Sequence, residues 1–267
     1  MEPLSIHAND SPSSRSKTAK LTAAALLRLP GLRMHLVLTA ILCLCFWVGI
    51  IYIGECTFAA IPWEALHKQS PVWYMVLDQM FYLLDVIVIV LMGLPLLYGA
   101  CMIYEAAVDG KKEPLTTLFC AFSSPSAYRR ALAVMLELLL PALLAAGAIL
   151  YLLRLAKSAE HIGMAVLFSA LALMFVFGAC LLMGCHDAVL RLCYLHPDVP
   201  TRQLFAASRR ATKGQLLSLL FFKASYLGWW MLSILSLGIA LIFHALPAFS
   251  LAYTVRLDVS DEINSLT

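Results

Sequence analysis

Residues 34–53 read MHLVLTAILCLCFWVGIIYI, twenty residues without an acidic side chain, a lysine or an arginine. As an α-helix such a run rises about 30 Å, the thickness of a bilayer's hydrocarbon core. No water is present there to satisfy free backbone groups, so the segment must bond internally as a helix. The rest of the chain agrees. Of its 267 residues, 62% are hydrophobic and 13% charged, with a mean hydropathy of +0.85, against about 45–50% apolar and about 25% charged in soluble domains. The expected fold class is all-α: a polytopic transmembrane helical bundle with short amphipathic cytoplasmic helices, and no room for a separate soluble domain.

Further runs follow at residues 72–104, 131–153 and 162–189. The second is longer than one crossing needs, and Gly93 with Pro95 marks a kink in it. The last block, residues 215–255, has about 40 residues and would be roughly 60 Å long as one helix, so it must break. Gly238 divides it into two adequate halves and Pro247 kinks the second. Two spans with a tight turn, six in all, are expected; one tilted span followed by a surface helix is the alternative.

Lysine and arginine set the orientation, because cytoplasmic loops are enriched in them. The segments up to Arg33, from Ala106 to Arg130, from Ala188 to Lys213 and after Val255 hold fifteen; the opposite connections hold Lys68, Arg154 and Lys157. Both termini are therefore expected on the cytoplasmic side. The chain divides into a polar, basic segment (1–33), a transmembrane domain (34–255) and a cytoplasmic tail (256–267). The lead before the first run is long, and no small-residue cleavage site follows that run, so the first span is expected to remain in the protein. Within the lead, TAKLTAAALLRL (18–29) reads as a short interfacial helix, broken from the span by Pro30 and Gly31.

The two long basic connections resemble each other. LLYGACMIYEAAVDGKKEPLTTLFCAF (96–122) aligns with LLMGCHDAVLRLCYLHPDVPTRQLFAAS (181–208): Gly99 with Gly184, Pro114 with Pro200, Leu118-Phe119 with Leu204-Phe205, and Ala121 with Ala207, one residue being inserted. Each copy reads as a helix leaving the membrane, a polar turn, and a Pro-started amphipathic helix whose Leu-Phe pair buries at the interface. Basic residues follow at the head of the next span. Arg129 and Arg130 in one copy, and Arg209, Arg210 and Lys213 in the other, suit anionic lipid headgroups. Plain topology anchors, and chance likeness of two apolar stretches, are the competing readings.

Ionisable groups inside spans are costly and so mark candidate sites. Asp85 lies near the middle of the second run, while Glu137 and Lys223 share a depth in the third and fifth and are placed to pair. A structural pair or snorkelling explains the last two as well as function does; a buried, hydrogen-bonded carboxyl explains Asp85. The eight cysteines lie mostly in apolar runs and read as small packing residues. Cys185, His186, Cys193 and His196 lack the Cys-x2-Cys spacing of a zinc site. Small residues such as Ala142, Ala145, Ala146, Gly147, Gly178 and Ala179 read as close helix contacts. No phosphate loop, nucleophile elbow or metalloprotease motif is present, so no enzyme activity and no cofactor are expected, and the scattered basic residues point away from nucleic acid.

The stretch from Asp198 through Tyr253 resembles a bacterial family of integral membrane proteins known as domain of unknown function 975. The family elements are met by Pro197 and Asp198, Ser208, Lys213 and Gly214, Gly228 and Trp229, Gly238, Pro247 and Tyr253, and upstream by Gly99, Leu118-Phe119 and Phe122. The likeness covers most of the chain after about residue 17. Thr212 stands where the family often has Met, and Ala248 where Tyr is usual. The resemblance implies a bacterial cytoplasmic membrane protein and no established activity. The reading that results is a non-enzymatic integral membrane protein whose partners are membrane lipids and other membrane proteins. A small transporter or channel with Asp85 in a polar pathway is the alternative, and a subunit of a larger complex the third.

Overall fold

The computed structural model describes residues 12–59, 70–158, 162–226 and 246–257, with residues 228, 232 and 242 as single positions. The described residues form ten α-helices, one π-turn and one 3-10 helix. Helix α1 (Pro12–Leu26) leads into α2 (Leu32–Ala59). Between them Gly31 takes a φ of +72°, a left-handed value that glycine accepts without strain. The break expected at Pro30-Gly31 is therefore present.

Helix α3 (Pro71–Val88) passes through a π-turn, Ile89–Gly93, into α4 (Leu94–Val108). This turn is the irregularity expected at Gly93 and Pro95. Proline has no N–H for the carbonyl four residues before it, here that of Leu91, and the Tyr128 hydroxyl donates to that carbonyl instead at 2.8 Å. Gly93 is required by packing, since a Cβ there would stand 2.7 Å from the Trp47 ring of α2.

Beyond α4 come the 3-10 helix Leu115–Phe122, α5 (Pro125–Ser158), α6 (Ile162–Gly184), α7 (Val189–Leu195), α8 (Thr201–Thr212), α9 (Leu216–Ala224) and α10 (Leu246–Arg256). The two long helices α5 and α6 pack along each other. Leu32–Ala59, Met75–Val108 and Pro125–Lys157 are each long and apolar enough to cross a membrane, and α6 adds 23 residues without a charged side chain. The fourth apolar run leaves its helix earlier than expected, at Gly184 rather than Val189. The Val189 amide bonds the His186 carbonyl, which closes a turn, and the Cys185 carbonyl accepts from Ser208 Oγ at 3.0 Å. The fold-back expected at Gly238 lies outside the described residues, as do Trp229 and Trp230. Pro247 sits in the first turn of α10.

The buried core is concentrated at the end of the bundle that carries the basic connections. Its centre is α4, whose sequence LPLLYGACMIYEAAV is apolar almost all round and which buries twelve of fifteen residues, as a helix without a polar face must. It touches α1, α2, the 3-10 helix, α5, α7 and α10. Polar ties hold the surroundings in register: Tyr104 donates to the Leu36 carbonyl at 3.1 Å, His35 Nε2 to the Glu113 carbonyl at 2.7 Å, and Lys112 Nζ to the Pro30 carbonyl. Helix α1, expected over 18–29 at a membrane surface, begins at Pro12 and docks on α10, burying Ala19 and Ala23. Its Lys20 donates to Ser225 Oγ at 2.9 Å and lies over the Phe222 and Tyr226 rings.

Away from this end the helices expose large apolar side chains, among them Ile51 and Ile53 on α2, Met80 on α3, Leu143 and Leu144 on α5, and Met174 on α6. Apolar surface of this extent calls for a cover other than water. Of the small residues expected to bring helices together here, Gly147 and Gly178 make no close approach among the described residues: a Cβ on either would meet nothing within 4 Å. Close approach occurs instead at Gly99, where a Cβ would overlap the Leu118 main chain. Gly99→Ala should therefore destabilise the protein by about 3 kcal/mol or more, because a backbone neighbour cannot step aside as a side chain can. Gly147→Ala should gain about 0.5–1 kcal/mol from helix propensity alone. Thermal unfolding of both variants in the same detergent checks the contrast, and equal melting temperatures would refute it.

Candidate functional site: a basic outer face and a polar-ended cavity

The two similar connections start their second helices alike. Pro114 and Pro200 are both extended, with φ and ψ of −62° and 148° and of −58° and 139°. Each carbonyl accepts the amide three residues on, Thr117 or Gln203, at 2.9 Å. Leu118 with Ala121, and Leu204 with Ala207, are buried. The copies then diverge. The first winds as a 3-10 helix, whose period of three stacks Leu118 over Ala121 and turns Phe119 away, so that Phe119 is 44% exposed, edge-on to Phe46. The second winds as α8, whose period puts Leu204, Phe205, Ala207, Ser208 and Thr212 on one buried stripe, with Phe205 against the His186 ring.

The other face of α8 is basic. Arg202, Arg209 and Arg210 are exposed, as is Lys213 just past its end, and α8 contains no acidic residue. Arg129 is exposed too. Arg130 is largely buried: its Nη2 donates to the His196 carbonyl at 2.9 Å, and it lines a cavity of about 480 Å3 with Tyr98 and Cys193. Burial pushes the Cys193 thiol up from its ordinary value, and Cys120 likewise, which suits packing rather than nucleophilic chemistry. The described cysteines are all free thiols.

Lys223 does not pair with Glu137, as its place in the sequence suggests. Lys223, at the end of α9, meets Asp187 in the turn after α6, with Nζ 2.7 Å from Oδ2, whereas Glu137 is exposed on α5. Depth along two helices does not fix their rotation; here α9 turns Lys223 toward the turn that the early stop of α6 creates. Tyr253 of α10 donates to the same Asp187 oxygen, and its ring lies 4.8 Å from the Lys223 ammonium. Asp85 lies on α3, and its side chain is outside the described residues.

These groups line a cavity of about 680 Å3 together with residues of α2, α4, α5, α7, α9 and α10. Glu105 of α4 joins them. It is only 8% exposed, its Oε1 accepts from Thr254 Oγ1 at 3.3 Å, and its Oε2 is buried with no hydrogen-bond partner. Nearby, Arg191 of α7 pairs with Asp109 at 2.6 Å and donates its other amino group to the Glu105 main-chain carbonyl at 2.9 Å. Glu105, Asp187, Arg191 and Tyr253 were not marked by sequence reasoning as candidate site residues. Glu105 and Asp187 sit at the ends of apolar runs, where a carboxylate reads as a loop residue, although Glu105 is followed by Ala-Ala-Val before the first polar turn and so was open to being read as intramembrane.

Removing one member of the Lys223–Asp187 pair leaves a largely buried charge alone, which costs more than removing both. Lys223→Met and Asp187→Leu should each lower the melting temperature more than the double variant does; an additive double variant would refute the coupling. Among the described residues no three His, Cys, Asp or Glu side chains converge on a metal position. Comparison with family models, with curated proteins and with solved structures finds no match to this chain.

Proposed function

We propose that this chain is a multi-pass protein of a bacterial cytoplasmic membrane that works without enzymatic chemistry, holding anionic lipid headgroups against its basic end. The observation that carries this reading is the division of α8: a stripe from Leu204 to Thr212 fixes the helix to the core, while Arg202, Arg209, Arg210 and Lys213 are exposed on it or at its end. A helix anchored in this way presents its charges in one direction, which a free amphipathic segment achieves only on binding. Two further features support the reading. Helices α1 and α10 pack on each other, which suits two termini on the same side. The basic connections also gather at the end where the core lies, as a surface facing anionic lipid requires.

Each lysine or arginine near an anionic surface contributes about 1 kcal/mol. In nanodiscs of mixed phosphatidylglycerol and phosphatidylcholine, the triple variant Arg209→Gln, Arg210→Gln, Lys213→Gln should retain anionic lipid at least roughly tenfold less well than the parent, as counted by native mass spectrometry. High salt should weaken the parent's preference in the same sense. An unchanged lipid profile in the triple variant would sink the reading.

A further inference from the structure

We propose that the cavity beside Glu105 binds an amphipathic amine, its ammonium head on the Glu105 carboxyl and its apolar tail between α2 and α4. The volume, about 680 Å3, lies within the range of small-molecule sites. Its wall is apolar over most of its area, with Leu44 and Trp47 from α2, Leu97 and Ala100 from α4, and Leu246 from α10. Its polar lining includes Asp187, Lys223 and Tyr253, which meet one another, and Glu105, which meets Thr254, the residue next to Tyr253. A polar cluster and an apolar wall together are the complement of a molecule with a head and a tail.

The charges in that cluster identify the head. Asp187 has Lys223 at 2.7 Å and the Tyr253 hydroxyl. Asp109 has Arg191 at 2.6 Å, and the hydrogen bond from Arg191 to Glu105 goes to the main-chain carbonyl rather than to the carboxyl. Two cations thus serve two other carboxylates. The Glu105 carboxyl receives one hydrogen bond, at 3.3 Å from Thr254, and its second oxygen receives none. A buried acceptor without a donor is costly to leave, and a charge-assisted N–H from a bound ammonium is the donor that satisfies both its hydrogen bonding and its charge. An anionic head would meet an excess of carboxylates, and an alcohol would bring no charge to the carboxyl. The inference goes beyond the headgroup reading and uses no residue of α8, so either can fail without the other.

The test uses the full chain in nanodiscs and tritiated decylamine as the probe. Saturable binding is expected, with unlabelled decanol and decanoate competing about tenfold or more less well, the difference a charged hydrogen bond makes. Glu105→Gln, nearly the same in shape and still able to accept from Thr254, should bind decylamine about tenfold or more weaker at an unchanged melting temperature. If that variant fails to fold, the wild-type ranking of the three probes decides alone. Nanodiscs with phosphatidylethanolamine in place of phosphatidylcholine separate the sources of the ammonium: loss of decylamine binding assigns the site to a lipid headgroup, and retention assigns it to a free amine. Decanol competing as well as decylamine, decanoate competing better, or full amine binding by a folded Glu105→Gln protein would overturn the proposal.

Discussion

The Leu118 main chain occupies the place where a side chain on residue 99 would begin, and the basic end of the molecule is arranged around that approach. Only glycine lets the 3-10 helix lie this close to α4. Once it does, Leu118 and Ala121 close one side of α4, and the preceding turn is carried over the start of α2, where Glu113 meets His35 and Lys112 meets Pro30. Helix α4 is then covered by α2, α5, α7 and α10 on its remaining sides. A helix so enclosed has no polar face to spare, which is why its one carboxylate, Glu105, ends buried.

The similar connections show one device put to two uses. In both, an extended proline sets the start of a short helix, and a leucine and an alanine three residues apart press it to the core. The first copy needs only that pair and winds tightly. In the second the helix breaks after Gly184 and resumes as α7, where the first continues as α4, and the buried stripe of α8 extends from Leu204 to Thr212. That longer stripe includes Ser208 and Thr212, whose hydroxyls approach the Cys185 carbonyl at 3.0 and 3.4 Å. The helix is thereby tied to the turn that holds Asp187, so the basic surface and the polar lining of the cavity share a foundation.

What was legible in the sequence was whatever depends on neighbours along the chain. Apolar run length located α2, the α3–α4 unit and α5 to within several residues, because helix length and hydropathy are local quantities. Pro30-Gly31, Gly93-Pro95 and the two helix-starting prolines were legible for the same reason: missing amides and left-handed backbone act where they stand. What was not legible depends on rotation about helix axes and on partners far away in the chain. Asp187 is 36 residues from Lys223 and 66 from Tyr253, and nothing in either neighbourhood names the other. Glycines were misread in the same way. Gly147 and Gly178 sit in small-residue stretches that imply contact, yet a Cβ on either would meet nothing among the described residues, while Gly99 makes the closest approach.

Read as a membrane protein, the molecule distributes its polar groups by a single rule. Ionisable side chains along the packed end are brought into pairs, Asp109 with Arg191 and Asp187 with Lys223, or turned outward, as on α8. Arg256, only 2% exposed, meets Ser218 and Gln215 of α9 and its cap. Each arrangement lowers the cost of holding charge away from water. Glu105 departs from the rule, since Arg191 stands close enough to bond its main chain but is engaged by Asp109. With Arg191 held by Asp109 at 2.6 Å, the Glu105 carboxyl has no direct ion pair among the described residues. A buried carboxyl with one hydrogen bond, from Thr254, and one oxygen without a donor is costly to hold, and a bound group that supplied the missing donor would offset that cost.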